Sequence, residues 1–357
     1  MRFIISKLQL YRDIVRRELG LIIFDRKKPL DQPIESTRSI LFIRNDAKLG
    51  DAIVSSAVIK KIRKHRPDIK IQVLTTSGMA SIFEQHFKVD QVIAMNKRPS
   101  YSEIRRVCQQ VGEVDLVWTL NPHMKMKDIY FLKHIRSKFN VGIDTKVKLL
   151  NVNIQQQTQG QHFAKKFDYL SVLLGIDAPQ ERYMVPLIPT SLTKLETYIS
   201  DNSIGSYILF NPFGSGSERK LNKSNITQIL QVLQRQFPQF SVVMLSSPET
   251  HQLLDNMQLT GDKVLHFSDS ESIYDAIAAV HFAKLVVSVD TSIVHIATGL
   301  DKPQLALYRS DKVNFAHWNP NSEKAVTVNT GKAMNDLDIG QLEEKAQSLQ
   351  KLTAAQA

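Results

Sequence analysis

Short apolar runs alternate with amphipathic stretches twice along this chain, and that repeated alternation is what most restricts its fold. In the first series, residues 40–44, 69–74, 91–95, 116–120 and 139–143 read as strands, separated by helices at 52–65, 103–111 and about 128–135. The second series has strands at 207–211, 240–246, 263–267, 285–289 and 304–308. Its helices fall at about 223–236, 249–257, 271–282 and 292–299, with a last one near 339–352. Strands lacking polar alternation need cover on both faces, which the intervening helices supply, so each series predicts a mostly parallel sheet. The expected class is α/β, with two doubly wound Rossmann-like domains facing a cleft and ligands outside the carboxyl ends of the strands.

A length of 357 residues suits two cores rather than one. The expected division has an N-terminal arm at 1–38, a first domain at 39–175, a connection at 176–205, a second domain at 206–335 and a C-terminal helix at 336–357. The stretch before and through the connection is Gln-rich at 155–161, has a helix at 163–174 that stops at Gly175, and is then punctuated by Pro179, Pro186 and Pro189.

The net charge is +11, which favours an anionic partner: nucleic acid, an anionic lipid surface or a phosphorylated substrate. Arg2, Lys7, Arg12, Arg16, Arg17, Arg26, Lys27 and Lys28 gather at the start of the chain, and a second basic cluster spans 125–148. No nucleic-acid-binding motif accompanies them, so nucleic acid is the least favoured partner. In the arm, Ile4, Leu8, Tyr11, Val15, Leu19 and Ile22 recur at three- and four-residue intervals, a basic amphipathic helix. Such a helix either lies among the headgroups of an anionic membrane or docks on the protein with its charges solvated. Charges interrupt its apolar stretches, so neither a signal peptide nor the ~20 apolar residues of a membrane span is expected. The single cysteine, Cys108, excludes an intramolecular disulfide and fits a reducing cytoplasm.

Three loops carry the chemistry. The first strand runs through Arg44-Asn45-Asp46-Ala47-Lys48-Leu49-Gly50-Asp51 into a helix, which makes Asp51 either a helix cap or a cleft-facing carboxylate. Asn211-Pro212-Phe213-Gly214-Ser215-Gly216-Ser217-Glu218-Arg219-Lys220 follows the first strand of the second series. It reads as a generic Gly/Ser turn or as a phosphate cradle, with Arg219 or Lys220 supplying charge, but not as a Walker motif. Val289-Asp290-Thr291-Ser292 opens a helix that carries His295 one turn later. Its N-terminus suits a diphosphate, while the plainer reading makes Asp290 or Thr291 a cap and His295 a core residue. The dispersed histidines offer no His-Glu-x-x-His, and no Asp-x-Asp pair is of the kind that holds a divalent ion, so no metal site is expected. The absence of Gly-x-Ser-x-Gly gives no support to an α/β-hydrolase.

From Ser39 to Tyr308 these loops, in this order, resemble the lipopolysaccharide heptosyltransferases, a family of inverting transferases with the two-Rossmann GT-B fold. Ile40-Leu41-Phe42-Ile43-Arg44 through Gly50-Asp51 and Ser55-Ser56-Ala57 is similar to the family's opening strand and Gly-Asp turn. Val289-Asp290-Thr291-Ser292 with His295-Ile296-Ala297 and Lys302-Pro303 is similar to its Asp-Thr-Gly-x-x-His signature.

The resemblance implies that Asp51 is the general base, with Arg44, Lys48 and Gly50 on the acceptor side. It implies a donor site of Gly214, Ser215, Gly216, Lys220, Asp290, Thr291, Ser292 and His295, with Glu249 at the nucleoside ribose. No cofactor or metal is implied. The expected substrates are ADP-heptose and a lipid A-core acceptor, met at the inner face of a bacterial inner membrane. Ser292 stands where the family has Gly, Asn222 where it has an aromatic, and the arm precedes the usual start. These departures keep two alternatives open, a same-fold transferase with another nucleotide sugar and a nucleotide-sugar 2-epimerase.

Overall fold

The computed structural model of the protein describes residues 2–46, 48–259, 261 and 263–354, with side chains from Gln9 to Lys351. Ala47 of the first loop and the side chains of Arg2, Ile4, Lys7 and Leu8 in the arm lie outside that set. Chain contacts divide the protein into two compact units, Met1–Glu181 and Arg182–Ala357.

The first unit contains α1 (Arg2–Phe24), β1 (Ser39–Arg44), α2 (Leu49–His65), β2 (Lys70–Thr75), α3 (Ser77–Ser81), β3 (Gln91–Ala94), α4 (Tyr101–Val111), β4 (Glu113–Trp118), α5 (Met126–His134), β5 (Arg136–Gly142), β6 (Val152–Asn153), α6 (Gln155–Thr158) and α7 (Phe163–Leu173). Its strands lie in the order β3-β2-β1-β4-β5-β6, every pair parallel. Ile40, Leu41 and Phe42 of β1 are wholly buried, which is why this strand reads as an unbroken apolar run. The helices form for local reasons too. In α4 the Ser100 hydroxyl accepts the Glu103 amide at 3.0 Å, while Ile104, Val107, Cys108 and Val111 fill one buried stripe. Gly175 stops α7 in a Schellman arrangement: its own amide reaches Val172 O at 3.1 Å and that of Ile176 reaches Ser171 O at 2.9 Å.

The arm belongs to this unit. Arg17 donates to Met124 O at 2.8 Å and pairs with buried Asp144 at 2.8 Å, and Phe24 meets Tyr130 edge to face at 5.0 Å. Asp25 accepts the amides of Lys148 and Leu149, each at 2.8 Å. Gly20 allows the close approach, since a Cβ there would stand 3.0 Å from Met126 Cα. The docked face of α1 is thus Asp13, Arg17, Gly20, Leu21 and Phe24, and the stripe read from periodicity, Tyr11, Val15, Leu19 and Ile22, faces outward and is exposed. Arg17, expected among the solvated charges, is the anchor.

The second unit contains α8 (Pro189–Asp201), β7 (Tyr207–Asn211), α9 (Lys223–Gln236), β8 (Ser241–Leu245), α10 (His251–Asp255), β9 (Val264–Phe267), α11 (Ile273–Phe282), β10 (Leu285–Val289), α12 (Ser292–Gly299), β11 (Gln304–Arg309), α13 (Lys312–Trp318), β12 (Ala325–Thr330) and α14 (Ile339–Ala354). Its sheet runs β12-β11-β10-β7-β8-β9, again all parallel. Counted within each unit, both sheets have the strand order 3-2-1-4-5-6. Residues 189–201, inside the stretch read as a connection, form α8, where Ser191 Oγ donates to buried Asp275 of the neighbouring α11 at 2.7 Å. The last helix, α14, buries Leu342, Ala346 and Leu349 in the same core as β7 and β10.

In a sheet of this order the crossovers leave the central pair in opposite directions, which opens a crevice at the carboxyl ends of those two strands. In the first unit the pair is β1 and β4, and in the second it is β7 and β10. Arg44 ends β1, Asn211 ends β7 and Val289 ends β10, so each of the three loops singled out from sequence leaves a switch-point strand.

Candidate active site

In the first unit, α2 begins at Leu49 with Lys48 in the cap position and no side-chain cap, so Gly50 and Asp51 are first-turn residues and the cap reading of Asp51 is not realised. Arg44 is buried beside Asp51. Its guanidinium carbon lies 5.1 Å from the centre of the Phe167 ring, and its Nη2 stands 3.0 Å from Asp46 Oδ2 and 3.8 Å from Asp51 Oδ2. Nε of Arg44 has no hydrogen-bond partner, which leaves one buried charged donor able to take an oxygen ligand beside the ion-paired Nη2.

Burial pushes the Asp51 carboxyl up to about 6. Arg44 and Lys48 pull it down, while the charge of Asp46 and a hydrogen bond shared with it push it up. The group is therefore ionised at neutral pH and more basic than an ordinary carboxylate, as proton abstraction requires. Lys48 is exposed at the mouth of this turn. Ser55 and Ser56 are buried and donate to the carbonyls of Ala52 and Ile53 in their own helix.

In the second unit, residues 213–220 fold back on themselves: Phe213 bridges Lys220, the Gly214 amide donates to Arg219 O at 2.8 Å, and Gly216 has a φ of 89°. This turn abuts the start of α12. A Cβ on Gly214 would stand 2.8 Å from Arg219 Cβ and 3.0 Å from Thr291 Cγ2, so only glycine permits the approach. Asn211 locks the two loops from beneath, donating to Ser288 Oγ at 3.0 Å and Thr291 Oγ1 at 3.1 Å. Thr291 is the cap of α12, accepting the Ile293 amide at 3.2 Å. The first-turn amides and macrodipole of α12 consequently point at the place where the Gly/Ser turn arrives, a setting that favours an anion.

Asp290 is not the cap. It accepts a hydrogen bond from Asn314 at 3.0 Å and faces Arg219 at 3.6 Å. Burial raises its carboxyl above the usual range, against the pull of Arg219, Asn314 and Arg309. Of the two loop cations, Arg219 is the one that reaches Asp290. Lys220 is half-buried, with its carbonyl accepting Asn335 Nδ2 at 3.1 Å, and Ser215 and Gly216 are exposed at the tip. Ser292 is half-buried in the first turn, and His295 is buried one turn on, packed edge to face against Trp318 at 6.0 Å.

Glu249 is exposed in the turn after β8, where Thr250 Oγ1 accepts the Ser247 amide at 2.8 Å. Because β8 lies beside β7, this turn opens on the same edge of the sheet as Asn211. Beneath it is a network that sequence reading missed. Ser246 Oγ lies 2.5 Å from His251 Nδ1 and 2.6 Å from His266 Nε2, while His266 Nδ1 meets Asp255 at 2.8 Å and His251 Nε2 meets Ser270 O at 3.1 Å. A carboxylate and a carbonyl only accept, so the outer ring nitrogens carry the protons and both inner nitrogens face the one Ser246 hydroxyl. The four side chains come from three separate elements and share no spacing that a linear sequence reveals. Asn314, contributed by α13, was missed for the same reason.

Residues 104–347, more than half of the chain, match the family model for glycosyltransferase family 9 (heptosyltransferase). The chain belongs to glycosyltransferase family 9.

As a member of family 9 it is a glycosyltransferase of the heptosyltransferase kind. It is 22% identical over 301 residues to an Escherichia coli K12 protein with the provisional name lipopolysaccharide heptosyltransferase 4, covering 82% of this chain and 81% of that relative. Among solved structures, the family 9 glycosyl transferase of Veillonella parvula superposes with a TM-score of 0.73 at 15% identity, covering 91% of this chain and 100% of the other. Escherichia coli heptosyltransferase WaaC, solved with ADP, gives a TM-score of 0.63 at 15% identity, covering 89% and 100%. The two parallel-sheet α/β units of this family 9 chain are accordingly those of the GT-B class.

Proposed function

We propose that this family 9 enzyme transfers a heptose from ADP-heptose to a phosphorylated sugar of the lipopolysaccharide core, with inversion at the anomeric carbon and without a metal or other cofactor. The observation that carries this reading is the pairing in the first unit of Asp51, a carboxylate raised to about 6, with Arg44, a buried cation whose Nε has no hydrogen-bond partner and whose Nη2 faces Asp46 and Asp51. The first is a base for a sugar hydroxyl, and the second suits an acceptor phosphate.

The first unit holds the acceptor, with Arg44, Lys48 and the Gly50 backbone orienting it. Asp51 takes the hydroxyl proton as the oxygen attacks the anomeric carbon. The bond from that carbon to the diphosphate oxygen breaks, its electron pair leaves with ADP, and one-step attack from the far side inverts the centre. The second unit holds the donor. The turn of Gly214, Ser215 and Gly216, together with Lys220 and the start of α12 at Thr291 and Ser292, receives the growing diphosphate charge, a role a metal plays elsewhere. Asp290 fixes Arg219 and Asn314 around that turn, His295 supports the first turn of α12, and Glu249 takes the ribose hydroxyls. Adenine as the base draws support from WaaC, which was solved with ADP and with ADP-2-deoxy-2-fluoro heptose.

The acceptor is the core sugar of a lipid A precursor, which places the reaction at the inner face of the inner membrane. Among the described residues no helix is long and apolar enough to cross a membrane. Calorimetric titration with ADP, UDP, GDP and ADP-heptose in the presence of chelator tests the donor assignment. Selective adenine-nucleotide binding that is lost in Lys220→Ala/Thr291→Ala supports it, and preference for UDP or GDP overturns it.

A further inference from the structure

The docked face of α1 leaves its opposite face with no structural task inside the first unit. At 100° per residue, Tyr11, Val15, Leu19 and Ile22 lie opposite the anchor residues Arg17, Gly20 and Phe24. They are 68%, 39%, 45% and 77% exposed. Ile14 and Ile23 are exposed at its edges and Leu10 and Leu30 beyond its two ends, so eight of the thirteen exposed large apolar side chains among the described residues fall within residues 10–30. Scattered apolar residues on a surface need no explanation, but a contiguous strip of this kind marks a contact.

The rim of the strip identifies the contact. Arg12 and Arg16 flank it on one side and Arg26 and Lys27 follow its end, all exposed, with exposed Lys125, Lys133, Lys146 and Lys148 on the segments that seat the helix. Glu18 is the one acid on the outward face. A second copy of a chain with net charge +11 would set this basic rim against itself, whereas an anionic lipid surface meets both the charge and the apolar strip. We propose that the outward face of α1 is a membrane-docking surface, with the helix lying in the headgroup layer of an anionic bilayer and its axis along the surface.

The anchors make this docking specific. A free amphipathic arm would tether the enzyme loosely, but Arg17 with Asp144, and Gly20 against Met126, hold the helix fast, so lipid contact orients the whole first unit. The inference depends on no property of the donor site, and its failure would leave the transferase reading untouched.

The test is co-sedimentation of the full chain with vesicles of 30% phosphatidylglycerol and 70% phosphatidylethanolamine, beside pure phosphatidylcholine, at low and high salt. The wild type is expected to pellet with the anionic vesicles and to be released by salt. Arg12→Gln/Arg16→Gln is expected to weaken partitioning about thirtyfold, since each basic residue near such a surface adds roughly fivefold. Leu19→Gln/Ile22→Gln/Ile23→Gln is expected to abolish it. These side chains are exposed, and an unchanged melting curve checks that the fold persists. Should either variant fold poorly, the otherwise native Tyr11→Trp protein reads the same contact through quenching of its added indole by brominated anionic lipid. The proposal is overturned if the wild type stays in the supernatant, if the apolar variant pellets as well as the wild type, if the added indole is unquenched, or if the variants instead abolish a concentration-dependent dimer seen without lipid.

Discussion

Nη2 of Arg44 stands 3.8 Å from Oδ2 of Asp51, close enough to set the basicity of the carboxylate and far enough to leave it free to accept a proton. At that distance the cation lowers the pKa without capturing the carboxylate in a bidentate pair, while burial and Asp46 raise it. The net result, about 6, gives the pH dependence of the reaction a definite form.

If Asp51 must be ionised to act, kcat/KM falls as pH drops through about 6 and is flat just above it. Arg44→Gln removes the largest lowering influence, so its acid limb moves to higher pH. Asp46→Asn removes a raising influence, so its limb moves to lower pH. Rate profiles from pH 4.5 to 8.5 measure both, and limb position is independent of any loss in maximal rate. Opposite shifts in the two variants are the expected signature.

The same carboxylate costs stability. Its folded pKa is raised above the unfolded value, so the folded state binds the proton more tightly. The resulting stabilisation is present below about pH 4 and is lost as pH rises through about 6. Asp51→Asn removes the charged form, and it is expected to be more stable than wild type by about 2 to 3 kcal/mol at pH 8, with the difference vanishing near pH 4. Urea denaturation at the two pH values measures it. A variant at once more stable and inactive would mark Asp51 as a residue kept for chemistry.

Gly214→Ala drives a methyl into Arg219 and Thr291. Overpacking of this kind costs about 1 to 3 kcal/mol, and here it falls on the approach of the Gly/Ser turn to α12. ADP affinity is expected to weaken roughly tenfold or more, as read by calorimetry, with little effect on the first unit.

Asp144 pairs with Arg17 while accepting the Met124 amide at 2.8 Å. Asp144→Ala leaves a largely buried guanidinium without its counter-ion, for which a loss of about 3 kcal/mol is expected. Hydrogen exchange would locate the loosening at α1 and the start of α5.

The alternation of strands and helices is legible because parallel strands covered on both faces are written largely in apolar residues, 40–43 in β1 and 285–287 in β10. The edges are not. β6 has only two residues, and β12, Ala325–Thr330, is half-buried with polar positions. Pro189, read as a break, is instead the first residue of α8, where its missing amide costs nothing.

Apolar runs also outlast the ladders they belong to. Leu120 and Ile143 are buried beyond the ends of β4 and β5, which displaced the expected strands toward the C-terminus. In α1 the periodicity was real, but the anchoring face depends on Asp144, a partner 127 residues away. The loops at Asp51, Gly214 and Asp290 were visible because switch-point strands lead into them. The network of Ser246, His251, Asp255 and His266 exists only once β8, β9 and α10 are side by side.

Whether Asp51 is the base of a heptose transfer is decided by following ADP release and glycosylated product together, with ADP-heptose and a phosphorylated core acceptor, for the wild type and Asp51→Asn at pH 8 with chelator present. One ADP per product is expected, with inverted configuration at the new linkage and a variant about a thousandfold slower or worse that still binds ADP with wild-type affinity. Equal rates in the two proteins, or no product with ADP-heptose alongside turnover of a uridine or guanosine diphosphate sugar, would contradict it.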